Sequence, residues 1–113
     1  MKIIKDKISL SELKEMATEM FGNMVKAVVD INQGVMAVDA ELHADEEAAL
    51  LEKGSKQQDL WGINIYPEQS GDELIEFDSM INLRPAHNNK SRGVDDPTIQ
   101  QQIRTIIAKL VIK

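Results

Sequence analysis

Two pairs of strand-like runs, each pair interrupted by a short turn, alternate with helical stripes along this sequence. The first pair covers residues 24–31 and 35–42, and a turn that ends at Gly34 separates its two runs. In the second run apolar residues alternate with Asp39 and Glu41, and a period of two is typical of a strand with one buried face. The sequence therefore predicts a β-hairpin, with Asp39 and Glu41 on its outward face.

A second hairpin is predicted from residues 60–66 and 73–83, which flank a turn containing Gly71. Alternation divides each run between two faces of the ribbon. The predicted inward residues are Trp61, Ile63, Ile65, Ile75, Phe77, Ile81 and Leu83. The predicted outward residues are Asn64, Tyr66, Glu76, Asp78, Asn82 and Arg84. One apolar and one polar face are therefore expected on this ribbon.

Three helices are predicted from capping signals and apolar stripes. Ser9 precedes Glu12 by three residues, which is the spacing of a capping box. Residues 45–53 are rich in Glu, Ala and Leu, with acidic side chains in the first turn, where the helix dipole favours them. Asp96 followed by Pro97 is a typical helix start, and apolar residues then recur at helical spacing to the C-terminus.

These elements, together with a short strand at residues 2–4, predict one α+β domain spanning residues 1–113 in the order β-α-β-β-α-β-β-α. A length of 113 residues suits one domain. Each hairpin has one apolar face and each helix one apolar stripe, and both must be buried. A largely antiparallel sheet with its helices packed on one face buries them together. The other face of the sheet is then expected to be open and polar.

The chain contains no cysteine. This excludes disulfides, thiolate metal sites and cysteine nucleophiles, and it fits the reducing environment of the cytoplasm, where we expect the protein to be found. No segment approaches the roughly 20 apolar residues that a membrane helix needs, so we expect no membrane association.

The net charge of −6 is distributed unevenly along the chain. Residues 35–83 carry two basic and twelve acidic side chains, whereas residues 84–113 carry six basic and two acidic ones. Proteins that bind the phosphate backbone draw their affinity from clustered Lys and Arg, and only the last quarter of this chain is net basic. Nucleic acid is therefore not expected as a partner.

Three segments of the sequence resemble a known family. They are ELHADEEAALLEKGSKQQDLWGINIYP (residues 41–67), IEFDSMINLRP (residues 75–85) and SRG (residues 91–93). They are similar to segments of a family of small prokaryotic proteins that is catalogued only as a domain of unknown function, and the resemblance extends over nearly the whole chain. The resemblance implies a stand-alone bacterial or archaeal protein, and no activity, cofactor or catalytic residue comes with it.

The open polar face is the first candidate for a functional surface. The chain has no cysteine, and no serine stands in a nucleophile-elbow sequence, so a covalent catalytic triad has no nucleophile. An exposed face with an aromatic residue and mixed charges is typical of a contact surface. We therefore expect a non-catalytic interaction module that needs no cofactor and binds a protein partner or self-associates. Its predicted contact residues are Tyr66, Asn64, Asn82, Arg84 and Arg92.

A second hypothesis is a divalent-metal site, in a metal-binding protein or a small metal-dependent enzyme. Carboxylates two residues apart on a strand project from the same face, and oxygen ligands suit Mg²⁺. The predicted ligands are Asp39, Glu41, Glu76 and Asp78. His43 is a candidate general base, because imidazole titrates nearest to neutral pH, although a strand-to-helix junction also explains its position.

A third hypothesis places a phosphate or carboxylate among Arg84, Lys90 and Arg92, near the start of the last helix. Guanidinium groups and free backbone donors both favour anions. Asp95 and Asp96 stand in the same place, however, and Asp96 is expected to cap the helix itself. The alternative is that these basic side chains pair with the acidic sheet.

Overall fold

Seven short strands and three α-helices follow one another in the computed structural model, which describes residues 1–113. The elements are β1 (Lys2–Ile4), β2 (Ile8–Ser9), α1 (Leu10–Glu19), β3 (Val25–Asp30), β4 (Val35–Val38), α2 (His43–Glu52), β5 (Leu60–Ile65), β6 (Ile75–Glu76), α3 (Pro97–Leu110) and β7 (Val111–Ile112). Short 3-10 helices occur at Gln57–Asp59, Gly71–Leu74, Met80–Asn82 and Pro85–His87.

Five strands form one antiparallel sheet in the order β1-β4-β3-β5-β6. Val28 in the central strand β3 lies opposite Ala37 of β4 on one side and Gly62 of β5 on the other. A second, two-stranded sheet pairs β2 with β7 in parallel, and Ile8 lies opposite Val111. The predicted α+β class and largely antiparallel sheet are confirmed, whereas the pairing of β2 with β7 was not predicted.

Two of the three helices begin where their capping signals predict. The Ser9 hydroxyl accepts a hydrogen bond from the Glu12 N–H at 3.1 Å at the start of α1. At the start of α3 the Asp96 carboxylate accepts one from the Thr98 N–H at 2.8 Å, and Pro97 occupies the first turn. Each cap satisfies a backbone donor that has no partner within its helix. None of the helices combines the length and the apolar character needed to cross a membrane.

The larger hydrophobic core lies on the face of the sheet that α1 and α3 cover. Leu13 and Met16 of α1 and Ile103 and Ile107 of α3 pack there against alternate residues of the strands. The strand residues of this core are Val25, Ala27, Val29, Met36, Val38, Trp61, Ile63, Ile65 and Ile75. The inward positions predicted for Trp61, Ile63, Ile65 and Ile75 are confirmed.

A smaller core lies on the opposite face, beneath α2. Leu50 of α2 packs there with Val28, Ala37 and Leu60 from three neighbouring strands. The prediction that all helices pack on one face is therefore wrong. The sheet residues that face α2 are also apolar, and exposing their side chains to water would cost free energy. The helix α2 covers them and removes that cost.

The second hairpin is much shorter than predicted. Its second strand is only Ile75–Glu76, after which residues 77–94 leave the regular strand conformation. The inward positions predicted for Ile81 and Leu83 are wrong, because Ile81 packs against the smaller core and Leu83 is 43% exposed. Asn64 and Asn82, predicted to lie on an open face, are buried.

The first hairpin also ends early. Strand β4 stops at Val38, and Asp39 has a φ of 69°, a left-handed conformation that interrupts a strand. Asp39 and Glu41 therefore do not project from one strand face as predicted. Leu42, expected on the buried face, is 56% exposed.

Candidate functional site

The 77–94 segment lies along β5 in place of a regular strand. Its Asn82 side chain accepts a hydrogen bond from the Gly62 N–H at 2.8 Å and donates one to the Gly62 carbonyl at 2.9 Å. Gly62 permits this approach, because a Cβ at that position would lie 2.5 Å from the Cβ of Ser79. Asn82 is fully buried, and buried amides must find such partners, so the pair fixes the segment on the sheet.

A second buried amide closes the segment on itself. The Asn89 side chain donates hydrogen bonds to the carbonyls of Asn82 at 2.7 Å and Gly93 at 2.8 Å. Its oxygen accepts one from the Asp95 N–H at 2.8 Å. The turn between Asn82 and Asp95 is thus held from inside, which orients its outward side chains.

His43 is the first residue of α2 and is almost fully buried, with 8% of its surface exposed. Its Nε2 lies 2.7 Å from the Ile63 carbonyl oxygen. A carbonyl only accepts, so Nε2 carries the proton and Nδ1 is the free acceptor in the neutral ring. Burial lowers the pKa of His43, so the ring is neutral at pH 7.

Glu46 lies one turn further along α2 and is completely buried. One carboxyl oxygen accepts a hydrogen bond from the Ala40 N–H at 3.1 Å, while Oε1 has no partner. Burial raises the pKa of this group to about 9, so Glu46 is protonated and uncharged at neutral pH. The start of α2 therefore holds two titratable side chains, both neutral.

A cavity of about 190 Å³ lies between the start of α2 and the 77–94 segment. We call it the α2 cavity. Its wall includes side chains from β3, from α2 and the residue before it, and from the segment, namely Lys26, Leu42, His43, Ser79, Met80 and Arg92. It combines two cationic side chains, a neutral imidazole and apolar groups within one concave surface.

Three large apolar side chains are exposed beside this cavity. Leu42 is 56%, Met80 62% and Leu83 43% exposed. Leu42 and Met80 both line the α2 cavity, whereas Met80 and Leu83 both line a neighbouring cavity of about 310 Å³. Met80 lines both cavities, so the three residues border two adjoining concave surfaces, and we call them the apolar rim.

Of the predicted contact residues, Asn64, Tyr66 and Arg92 lie near one another at the β6 end of the sheet. The Asn64 amide and the Tyr66 hydroxyl both donate to Oε1 of Glu76, each at 2.9 Å. The Arg92 Nε donates to the Asp78 carboxylate at 2.7 Å. Arg92 is exposed and lines the α2 cavity, whereas Asn64 is buried.

Arg84 and Asn82 lie further along β5, away from this group. Arg84 donates to the carbonyls of Leu60 and Ile81, and its guanidinium stacks 4.7 Å from the centroid of the Trp61 ring. Its terminal nitrogen also lies 4.0 Å from the Glu47 carboxylate. Both residues anchor the 77–94 segment to β5.

The structure does not gather the predicted metal ligands into one cluster. No group of three or more His, Asp or Glu side chains is placed to hold a metal ion. Asp39 and Glu41 follow β4, while Glu76 bonds Asn64 and Tyr66, and Asp78 pairs with Arg92.

The competing role foreseen for the aspartates before α3 is confirmed. Asp96 caps α3, and the Asp95 carboxylate accepts a hydrogen bond from the Lys90 N–H at 2.8 Å. These contacts occupy the position where the third hypothesis placed an anion. Arg92 alone of its three basic residues lines the α2 cavity.

Several residues of the site were not singled out from the sequence. Lys26, Leu42 and Met80 line the α2 cavity, and Glu46 is buried one turn into α2. One local feature could have drawn attention to the start of α2. The helix begins after Leu42, and leucine has no side-chain oxygen that could cap it. No local signal indicates that Met80 projects outward, since that depends on the pairing of Asn82 with Gly62.

Fold and site together define a small α+β domain. Its five-stranded antiparallel sheet is covered on both faces, and the α2 cavity lies between α2 and the 77–94 segment. The chain belongs to the family described as "Protein of unknown function (DUF5674)", which matches residues 2–110. The resemblance noted in the sequence is thereby confirmed. Neither a curated protein nor a solved structure matches the chain.

Proposed function

We propose that the protein is a binding module that contacts a partner protein through the apolar rim. The observation that carries this proposal is the exposure of Leu42, Met80 and Leu83, at 56%, 62% and 43%, around two adjoining cavities. Exposed apolar side chains grouped beside concave surfaces are typical of contact sites between proteins. Methionine is well suited to such surfaces, because its flexible side chain adapts to different partners.

The charges beside the rim favour a partner segment that carries both apolar and acidic side chains. Lys26 and Arg92 line the cavity next to Leu42 and Met80. Cationic groups at the edge of an apolar contact favour acidic groups on the partner. A second copy of the chain fits less well, since each copy carries a net charge of −6 and the copies repel one another.

The rigid base beneath the rim supports the same proposal. Met80 lies between Ser79 and Asn82, which are 1% and 0% exposed. Because its neighbours are anchored, Met80 is held outward before any partner arrives, and less conformational entropy is lost on binding. In this proposal Asn82 and Arg84 support the surface and Arg92 contacts the partner. A cytoplasmic location in a prokaryotic cell is part of the proposal, supported by the absence of cysteine and by the resemblance noted above.

Selection from a displayed library of random peptides tests the proposal. We expect wild-type protein to enrich peptides that combine apolar residues with Asp or Glu. Met80→Ser should weaken the binding of synthetic versions of these peptides by about tenfold or more, because central apolar contacts dominate such interfaces. Fluorescence anisotropy with labelled peptide measures the change.

Met20→Ser is the matched control. Met20 is 39% exposed at the end of α1, which packs on the opposite face of the sheet, so this substitution should leave peptide affinity unchanged. Failure to enrich any peptide, or equal loss in both variants, would overturn the proposal. So would sedimentation of wild-type protein as a dimer that Met80→Ser dissociates, because the rim would then hold a second copy.

A further inference from the structure

The cavity of about 310 Å³ beside Leu83 has a carboxylate in its wall with a buried oxygen that the chain leaves unpartnered. We call it the Glu47 cavity. Glu47 lines it from the second turn of α2, and only 14% of its side chain is exposed. Its Oε2 is buried and accepts no hydrogen bond. Buried polar atoms normally have partners, so this carboxylate would gain free energy from a donor that the chain does not supply.

Arg84 lines the same cavity and is fixed in place. Its Nε donates to the Ile81 carbonyl at 3.1 Å, and its guanidinium stacks on the Trp61 ring. One terminal nitrogen, Nη2, donates to the Leu60 carbonyl. The other terminal nitrogen, Nη1, has no hydrogen-bond partner in the chain. The wall of the Glu47 cavity therefore contains one acceptor group and one donor group that the chain does not fully use.

The charges of Glu47 and Arg84 balance one another without a direct hydrogen bond. Oε2 and Nη2 are 4.0 Å apart, whereas a hydrogen bond from nitrogen to oxygen spans about 2.7–3.2 Å. A ligand ion of either sign would meet one attracting and one repelling group, so it would gain little electrostatic free energy. An uncharged group with an N–H donor and a carbonyl acceptor suits both side chains. Such a group is an amide.

The rest of the wall has the composition of a site for a small organic molecule. Such pockets span roughly 300–1,000 Å³ and combine apolar side chains with a few polar groups. The volume of about 310 Å³ lies at the lower end of this range. The apolar side chains come from Met80, Ile81 and Leu83, and exposed amides come from Gln57 and Gln58.

We propose that the Glu47 cavity binds a small organic molecule that carries an uncharged primary amide on a compact apolar body. The amide N–H groups donate to the Glu47 carboxylate, and the amide carbonyl accepts from the Arg84 guanidinium. The apolar body packs against Ile81 and Leu83. Both polar contacts involve a charged side chain, which makes them stronger than hydrogen bonds between neutral groups.

Four ligands that share a benzene ring test the inference, namely benzamide, benzoate, benzylamine and N,N-dimethylbenzamide. Benzamide offers a donor and an acceptor without charge. Benzoate is an anion without a donor, benzylamine is a cation without an acceptor, and the dimethyl compound is a neutral acceptor only. In nuclear magnetic resonance titrations of the whole protein at pH 7 and constant ionic strength, benzamide should shift the backbone amides of Leu83 and Arg84 and saturate. The other three should bind at least about tenfold more weakly, as for the loss of one hydrogen bond to a charged group.

Three outcomes of these titrations would overturn the inference. The first is the absence of a saturable shift with benzamide. The second is equal binding of all four ligands, which would show that the cavity recognises the ring alone. The third is tighter binding of benzylamine or benzoate than of benzamide, which would show that one charge of the Glu47–Arg84 pair dominates.

Glu47→Met and Glu52→Met form a matched pair, because each removes one carboxylate from α2 but only Glu47 lines the cavity. Glu47→Met should weaken benzamide binding by about tenfold and leave the Arg84 charge unopposed, so benzoate should then bind more tightly than benzamide. A merely structural loss would weaken both ligands alike. Glu52→Met should leave both affinities unchanged. Unchanged benzamide binding in Glu47→Met, or equal loss in the two variants, would contradict the assignment of Glu47.

This inference does not rest on the proposed protein contact. Arg92→Gln should weaken peptide binding and leave the benzamide titration unchanged, because Arg92 lines only the α2 cavity. Peptide enrichment without benzamide binding would remove this inference alone. Benzamide binding without peptide enrichment would remove only the proposed contact.

Discussion

At the scale of single residues, Glu46 is the side chain whose charge state departs furthest from that of a free amino acid. Its pKa rises from 4.5 to about 9, because burial disfavours the carboxylate. Between these two pH values the group is protonated in the folded chain and ionised in the unfolded chain, so unfolding releases a proton. The free energy of unfolding therefore falls as the pH rises through this window.

Replacing Glu46 with Gln should remove this dependence. Gln keeps the shape of the protonated acid and its acceptor for the Ala40 N–H, but it does not ionise in the unfolded state. Relative to wild type, we expect Glu46→Gln to gain on the order of 3 kcal/mol of stability between pH 5 and pH 8. Urea unfolding at the two pH values measures the gain.

The same substitution at Glu52 provides a control on the same helix. Glu52 is exposed, and its replacement should change the free energy of unfolding little at either pH. Parallel stability curves for wild type and Glu46→Gln from pH 5 to pH 9 would show that Glu46 is ionised in the folded protein.

At the scale of elements, the helices α1 and α3 were predictable because their signals are local. Ser9 and Asp96 cap helices within three residues of their own positions, and the apolar stripes follow directly. The helix α2 was predicted at residues 45–53 but spans His43–Glu52. Its start lacks a capping side chain, and the helix is held by long-range packing such as that of Leu50 against the sheet, so no local signal marks its first residue.

The 77–94 segment was mistaken for a strand because its apolar residues alternate. The period of two is followed by Phe77, Ile81 and Leu83. However, the side chain of Asn82 bonds the N–H and the carbonyl of Gly62, which a neighbouring strand would otherwise bond. That pairing joins residues twenty positions apart. No local pattern distinguishes an asparagine that points to solvent from one that replaces strand pairing, so the error extended to the predicted site.

Asn82→Ala should release the segment from the sheet. The substitution leaves the buried N–H and carbonyl of Gly62 without partners and removes a third bond, of 3.0 Å, to the Arg92 carbonyl. Each unsatisfied buried group costs about 1–3 kcal/mol, so we expect a loss of about 3 kcal/mol in the free energy of unfolding. Hydrogen exchange of the Gly62 amide should accelerate more than that of amides in α1.

Asn88→Gly is the matched asparagine substitution in the same segment. Asn88 is exposed and has a φ of 64°, which glycine adopts without strain. Its replacement should cost well under 1 kcal/mol, within the usual range for surface positions. If Asn82→Ala proved as mild as Asn88→Gly, the side-chain pairing with Gly62 would contribute little to stability.

At the scale of the whole molecule, the expected open face is missing because the sheet is covered on both sides. Val28 and Ala37 are fully buried on the face that was expected to be polar. The period-two pattern predicts a solvent-exposed face because Asp39, Asn64 and other polar residues near the strand ends alternate with apolar ones. The middle of the sheet is apolar on both faces, and alternation along one strand does not show what packs over its neighbours. Arg92 is the predicted contact residue that remains both exposed and next to a cavity.

The two cores share the strands β3, β4 and β5, so the chain should unfold as one cooperative unit. Leu50→Ala tests this, because Leu50 belongs to the smaller core while Trp61, the only tryptophan, belongs to the larger one. We expect a loss of about 3 kcal/mol, as for other buried leucines. Thermal unfolding followed by Trp61 fluorescence and by far-ultraviolet circular dichroism should shift to the same lower midpoint.

The neighbouring substitution Leu51→Ala separates the loss of packing from the loss of a leucine in α2. Leu51 is 40% exposed, so its replacement should shift the midpoint far less than Leu50→Ala. If instead the Trp61 midpoint of Leu50→Ala stayed at the wild-type value while circular dichroism showed an earlier, separate transition, α2 would be a layer that detaches on its own. The rim and the α2 cavity would then come apart before the main core, because Leu42 of the rim directly precedes α2 and His43 of the cavity is its first residue.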